Sequence, residues 1–235
     1  MLKPLAVLLL SFSTAAFADG MPTNPYIQVS GHAEEHVAPD MLKVSLTLEK
    51  TSMDAGAARA DVETRATKVL ALLRKLGVAD KDIHAPAVTV QPQYEWRSAP
   101  GGDGKQVLVG QHVVRGISLT LRDIGKYGDL ADGLFAAGVT RLDGVIPDTS
   151  QREALEQQAL SLAVADARDR AAALARGADV SLGPVFSIAE QGGARGPRPI
   201  MMAAMSREAG ASPPEYLNGE IDIDADVQVY YLIAK

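Results

Sequence analysis

Ser150 to Val180 reads SQREALEQQALSLAVADARDRAAALARGADV, and this stretch decides the fold. Apolar residues recur at Leu160, Ala163, Val164, Ala167, Ala171, Leu174 and Ala175. Steps of three and four trace one stripe of a helix with about 3.6 residues per turn. Asp166, Asp169, Arg170 and Arg176 fall on the other side, with Asp166 and Arg170 at the favourable i,i+4 spacing. Ser150 and Glu153 have the spacing of a capping box. Gly177 stands where a left-handed C-terminal residue is wanted. The stripe is mostly alanine, so a sheet can approach the helix axis closely. The stretch is scaffold, and it carries no chemistry of its own.

On its C-terminal side, Val180 to Glu190 (VSLGPVFSIAE) reads as a strand. Residues 191–215 then form a Gly-, Pro- and Met-rich excursion, longer than a compact domain usually tolerates without a function. The closing strand, Glu220 to Ile233, alternates cleanly. Ile221, Ile223, Ala225, Val227, Val229, Tyr231 and Ile233 face one way, and Glu220, Asp222, Asp224, Asp226 and Gln228 the other.

On its N-terminal side, Tyr26 to Val37 and Met41 to Thr51 read as two strands joined in a hairpin by Ala38-Pro39-Asp40. Asp54 to Leu76 is an amphipathic helix ended by Gly77. Ile83 to Arg97 reads as one strand interrupted by Pro86 and Pro92, prolines that suit an edge or a bend. It forms a long hairpin with Gln106 to Arg122. Asp123 caps a second helix, Ile124 to Ala137, with Ile124, Tyr127, Leu130, Ala131, Leu134 and Phe135 inward. Val139 to Ile146 is a short strand. The order is ββαββαβαββ. Without strict βαβα alternation this is an α+β fold, antiparallel sheets with three main helices arranged as two intertwined α+β lobes.

The bulk composition narrows the functions. A net charge of -6 leaves no basic face for nucleic acid. With no cysteine there is no disulfide, thiol catalysis or thiolate metal site. Lys3, the apolar run Leu5 to Phe12 and Ala16-Phe17-Ala18 make a secretory signal peptide over residues 1–18, cleaved after Ala18. Residues 19–25 are then a flexible N-terminus and 26–235 the folded domain. No second apolar run is long enough to cross a bilayer as a helix. The reading is export to the periplasm, with no transmembrane segment in the mature chain.

Three segments resemble a known family. Ile27-Gln28-Val29-Ser30-Gly31 to Val37-Ala38-Pro39-Asp40 is similar to the opening of SIMPL-domain proteins, which include bacterial periplasmic immunogenic and oxidative-stress-defence proteins. Ala163 to Arg168, leading on to Gly183 to Glu190, resembles the family's second motif, and Gly219 to Tyr231 its closing strand. Ala33 stands where the opening motif has a second glycine. The resemblance implies an α+β fold, export to the periplasm, and self-association, which in some members builds rings or channels. It brings an association with oxidative-stress defence, and no catalytic residue. It implies a non-enzymatic homo-oligomer without a cofactor.

Candidate chemistry is sparse. His32-Ala33-Glu34-Glu35-His36 matches the H-x-x-E-H zinc pattern. That chemistry needs a helix; on a strand, residues i and i+4 stand about 13 Å apart. His84 and His112 meet only if the long hairpin pairs in suitable register. Asp222, Asp224 and Asp226 line one strand face and read as solvated, a row that discourages edge-to-edge pairing. Met201, Met202 and Met205 offer soft thioethers to monovalent copper or an adaptable contact surface, and they are open to oxidation. Tyr94 and Trp96 share a strand face, as core or as an exposed patch for a partner or ligand. Self-association is the partner reading, with no nucleic acid. The alternatives are a monomeric binding module for a small ligand or peptide, and a metal-binding protein using the Met-rich loop.

Overall fold

Two antiparallel sheets, each with helical cover on one face, make up the structure. The computed structural model describes residues 24–98, 102, 104–191 and 219–234. The chain runs β1 (Tyr26–Val37), β2 (Met41–Ser52), α1 (Ala55–Lys75), β3 (Ile83–His84), β4 (Thr89–Ser98), β5 (Gly104–Leu121), α2 (Tyr127–Ala136), β6 (Arg141–Asp148), α3 (Arg152–Gly177), β7 (Ser181–Glu190) and β8 (Ile221–Ala234). The α+β class and the order agree with the sequence reading, with one strand added. Pro86 divides the segment expected as a single strand into β3 and β4, because a proline has no N–H for the ladder.

One sheet has the order β1-β8-β7; in the other, β3 and β4 both pair with β5, followed by β2 and β6. β1 and β2 do not form the expected hairpin. β1 lies against β8, whereas β2 lies between β5 and β6. Pro39 holds Ala38 extended, so the connection passes between sheets instead of turning tightly. The chain thus starts in the first lobe, builds the whole second lobe from β2 to β6, and returns for α3, β7 and β8.

The second lobe is packed with large side chains. Ala58, Val62, Ala66, Val69 and Leu73 of α1 lie on Leu42, Val44, Leu46 and Leu48 of β2 and Val113, Ile117, Leu119 and Leu121 of β5. Leu130 and Leu134 of α2 close the cluster. Phe135, expected inward, is 70% exposed, one position round the helix from the buried Leu134.

The first lobe is packed by close approach. The buried residues of α3 are Ala159, Ala163, Ala167, Ala171 and Ala175, set against Val29, Ala225, Val227, Val229 and Tyr231. Leu174, expected on the buried stripe, is 53% exposed, because the contact line follows the alanines at strict four-residue steps. A Cβ on Gly31 would lie 2.0 Å from the Ala163 carbonyl oxygen and 2.8 Å from Ala167 Cβ, so only glycine lets the helix backbone sit on β1.

The helix ends follow one rule with different residues. Gly77 and Gly138 adopt positive φ of 84° and 82°, and the N–H groups of Val78 and Val139 donate to the Leu73 and Leu134 carbonyls. These are Schellman ends. At α3 the left-handed residue is Asp179 (φ 55°), not Gly177, which remains helical, and the Val180 N–H donates to the Ala175 carbonyl. Aspartate tolerates this conformation better than most non-glycine residues. The capping box at Ser150 and Glu153 does not form, since α3 begins at Arg152. Ser150 gives its backbone N–H (2.7 Å) and its hydroxyl to the carboxylate of Asp40 instead. Asp123 makes no side-chain cap, because a turn of 3-10 helix precedes α2.

Candidate functional site

The sequence motifs converge on the lobe built from β1, α3 and β8. Gly31 and His32 of β1 meet Ala163, Asp166 and Ala167 of α3: the glycine admits the helix backbone, and the His32 N–H donates to Asp166 Oδ2 at 2.9 Å. Among the described residues β1 is an edge strand, so that N–H points away from β8 and would otherwise lack a ladder partner. This hydrogen bond is the leading cause that holds the Asp166 carboxyl below the usual range, with Arg170 adding to it. Asp40, at the end of the opening motif, receives Ser150 at the start of α3.

A second junction lies beside Asp40. Asp148 ends β6 and is fully buried. Its carboxylate accepts from Arg152 Nε at 2.6 Å and from the Thr149 N–H at 2.9 Å, and Lys43 Nζ reaches it from β2. Burial pushes this carboxyl up; Lys43, the Thr149 amide and Arg152 outweigh burial and hold it below the usual carboxylate range. The group ties β2 and β6 of one lobe to α3 of the other, and it is structural.

The face of β1 and β8 turned away from α3 carries the acid row and the two histidines together. β1 and β8 pair in unbroken register, which sets His32 opposite Asp226, Glu34 opposite Asp224 and His36 opposite Asp222. His32 Nδ1 lies 2.9 Å from Asp226 Oδ1, and His36 Nδ1 2.7 Å from Asp222 Oδ1. The hydrogen bond to Asp222 raises the His36 pKa above its ordinary value, and the charges of Glu34 and Glu220 reinforce it. The row expected to be simply solvated is therefore matched by imidazoles across the strand. The H-x-x-E-H segment is extended, as its flanking residues required, and each histidine has its own carboxylate partner. The sequence reading missed this because the partner strand lies 186 residues away for His36.

His84 and His112 do not meet. In the register of β3 and β4 against β5, His84 faces Ser118 and Gln91 faces His112. His112 Nδ1 is 3.0 Å from Thr51 Oγ1, whose hydroxyl donates to Gln93 Oε1 at 2.8 Å. His112 Nε2 lies 3.6 Å from a Glu49 carboxylate oxygen.

Tyr94 and Trp96 stand on an arm. β2 stops opposite Gln111, so β5 continues from there towards Gly104 with β4 as its only neighbour among the described residues. A bulge between Gln93 and Tyr94 bends the pair as it leaves the sheet. Tyr94 is 54% exposed and Trp96 67%, with the Trp96 indole lying across Gly104. β7 is exposed along most of its length, with Val185, Phe186 and Ile188 about half open. Met201, Met202 and Met205, most of the 191–215 excursion and the segment 1–18, expected to be a signal peptide, lie outside the described residues. Among the described residues, no helix is long and apolar enough to cross a membrane.

Comparison with known proteins agrees with the motif reading. The SIMPL family, described as a protein of unknown function (DUF541), matches residues 27–231. Escherichia coli (strain K12) has an uncharacterized protein YggE that is 29% identical over 228 residues, covering 97% of this chain and 91% of that one. The protein of the same name in Edwardsiella ictaluri is 29% identical over 218 residues, 92% and 90% of the two chains. A 26 kDa periplasmic immunogenic protein of Brucella melitensis is 27% identical over 229 residues, 95% and 92% of the two chains. None of these names states an enzyme activity. The match runs over most of both chains, and the chain belongs to the SIMPL family.

Proposed function

We propose that this is a non-enzymatic periplasmic protein that self-associates and acts in envelope or oxidative-stress defence. One observation carries the self-association: among the described residues, each sheet offers an edge strand without a partner on one side and with exposed apolar residues nearby. They are Val185, Phe186 and Ile188 on β7, and Val90, Tyr94, Trp96 and Leu108 on the β4–β5 arm. An exposed apolar edge is a template for strand addition unless it is covered. The two edges differ from each other. Copies joined β7 to arm therefore make a heterologous contact, which closes into a ring when the rotation permits. The leader at residues 1–18 and the periplasmic name of the Brucella relative support the location. Native mass spectrometry at micromolar concentration tests the reading. A discrete oligomer that dissociates in Phe186→Lys or Trp96→Lys supports it; a monomer at every concentration contradicts it. Peroxide and detergent sensitivity of a deletion strain, rescued by the wild-type chain, tests the defence role.

Exposure of Tyr94 and Trp96 also favours a second reading, a monomeric module that uses the arm to bind a small ligand or peptide. A ligand-dependent rise in melting temperature that disappears in Trp96→Ala supports that reading instead.

A further inference from the structure

The outer face of β1 and β8 holds a donor set that neither self-association nor the arm uses. Glu34 and His36 stand two residues apart on β1, so they share a face, and Asp222 lies directly opposite His36 on β8. One ligand atom from each of the three lies within 4.8 Å of the other two. We propose that Glu34, His36 and Asp222 form a binding site for a divalent transition-metal cation of the zinc type, with water completing the coordination.

The chemistry of the donors selects that class. One imidazole nitrogen and two carboxylate oxygens suit zinc and its first-row neighbours, and the set itself offers no soft sulfur ligand of the kind monovalent copper favours. Two carboxylates neutralise a dication, and a neutral imidazole adds a third ligand without charge. Asp224 and Asp226 on the same face of β8, and Glu220 just before it, deepen the negative potential around the site.

The geometry needs only small changes. Metal–ligand bonds of about 2.0–2.2 Å at tetrahedral angles put donor atoms about 3.3 Å apart. The Glu34 carboxylate closes inward by side-chain rotation. The His36–Asp222 contact, 2.7 Å here, opens slightly as the ion takes the place of the shared proton. The backbone does not have to move, because β1 and β8 pair from Tyr26–Leu232 to Val37–Ile221 without a bulge. Asp222 is the anchor: its side chain is 18% exposed, against 50% for His36. Among the described residues this is the one set of three that converges; His32 and Asp226 remain a pair. The H-x-x-E-H spacing therefore supplies a metal ligand in a way its helical form does not, through one histidine and the acid across the strand.

Zinc chloride titrated into untagged protein by calorimetry tests this, with proton NMR of the histidine rings alongside. One saturable site per chain is expected, with the His36 resonances shifting first and those of His84 and His112 unmoved. His36→Ala, Asp222→Asn and Glu34→Gln should each weaken binding by more than roughly tenfold, while His112→Ala leaves it unchanged. The NMR arm uses the unsubstituted protein, so a variant that fails to fold does not remove the test. No saturable binding up to about 1 mM zinc, or binding that survives both His36→Ala and Asp222→Asn, overturns the proposal.

Discussion

α1 meets its sheet with Val62, Val69 and Leu73 among its contacts, and α3 meets its own with five alanines. Both are helices on antiparallel sheets, but the distance between layers is set differently. In the β2–β6 lobe, branched side chains from both layers fill the gap, and the stabilising quantity is apolar volume removed from water. In the β1–β8 lobe the backbones nearly touch at Gly31, and the stabilising quantity is close contact over a narrow seam. Large-to-small changes should therefore dominate the damage in one lobe, and small-to-large changes in the other.

Gly31→Val is the strongest way to break this contrast. Its Cβ would fall on the Ala163 carbonyl, and a backbone atom cannot rotate aside. A loss of about 4 kcal/mol or more is expected in urea denaturation; a change within about 1 kcal/mol would mean that α3 sits farther from β1 than described. Leu46→Ala, in the other lobe, removes a fully buried side chain and should cost about 3 kcal/mol through the cavity it leaves.

Asp148 joins the two lobes, and it is the place to read the contrast by pH. Its folded pKa is depressed, so its contribution is present in full above the ordinary carboxylate value, about 3.9, and is lost as pH falls through the lower folded value. Asp148→Asn should lose about 2 kcal/mol at neutral pH, since Arg152 and Lys43 are left without their counter-charge. Its stability curve should also be flatter than the wild-type curve below about pH 4. An acid limb of unchanged steepness would assign that dependence to other carboxylates. The smallest effect expected is Ala163→Gly, about 1 kcal/mol from helix propensity alone, because an alanine deletion leaves almost no cavity in a seam already this narrow.

How much of this could be read from sequence divides along the same line. α1, α3, β2 and β8 were legible because their periods of 3.6 or 2 are strict, and Ile221, Ile223, Ala225, Val227, Val229 and Tyr231 are the buried face of β8 as expected. The mostly alanine stripe announced close packing, though it neither showed that the contact line runs at four-residue steps nor named Gly31 as the residue that permits it. Strand pairing was not legible. Nothing local in Tyr26 to Val37 says that its partner is β8 rather than β2, since alternation fixes a face and not a neighbour. The histidine–carboxylate face was hidden for that reason: both halves, His32 with His36 and the acid row, were noticed as separate features. The caps failed for a related reason, because Ser150 takes a partner 110 residues away and Asp179 replaces the expected glycine.

We propose that other copies of the chain cover the two unlike apolar edges. Amide hydrogen exchange across a protein concentration series measures this most directly. The expected result is protection that rises with concentration along β7 and along the β4–β5 arm from Tyr94 to Trp96, while the α1 and α3 cores stay constant. Protection at both edges that does not change with concentration would contradict it.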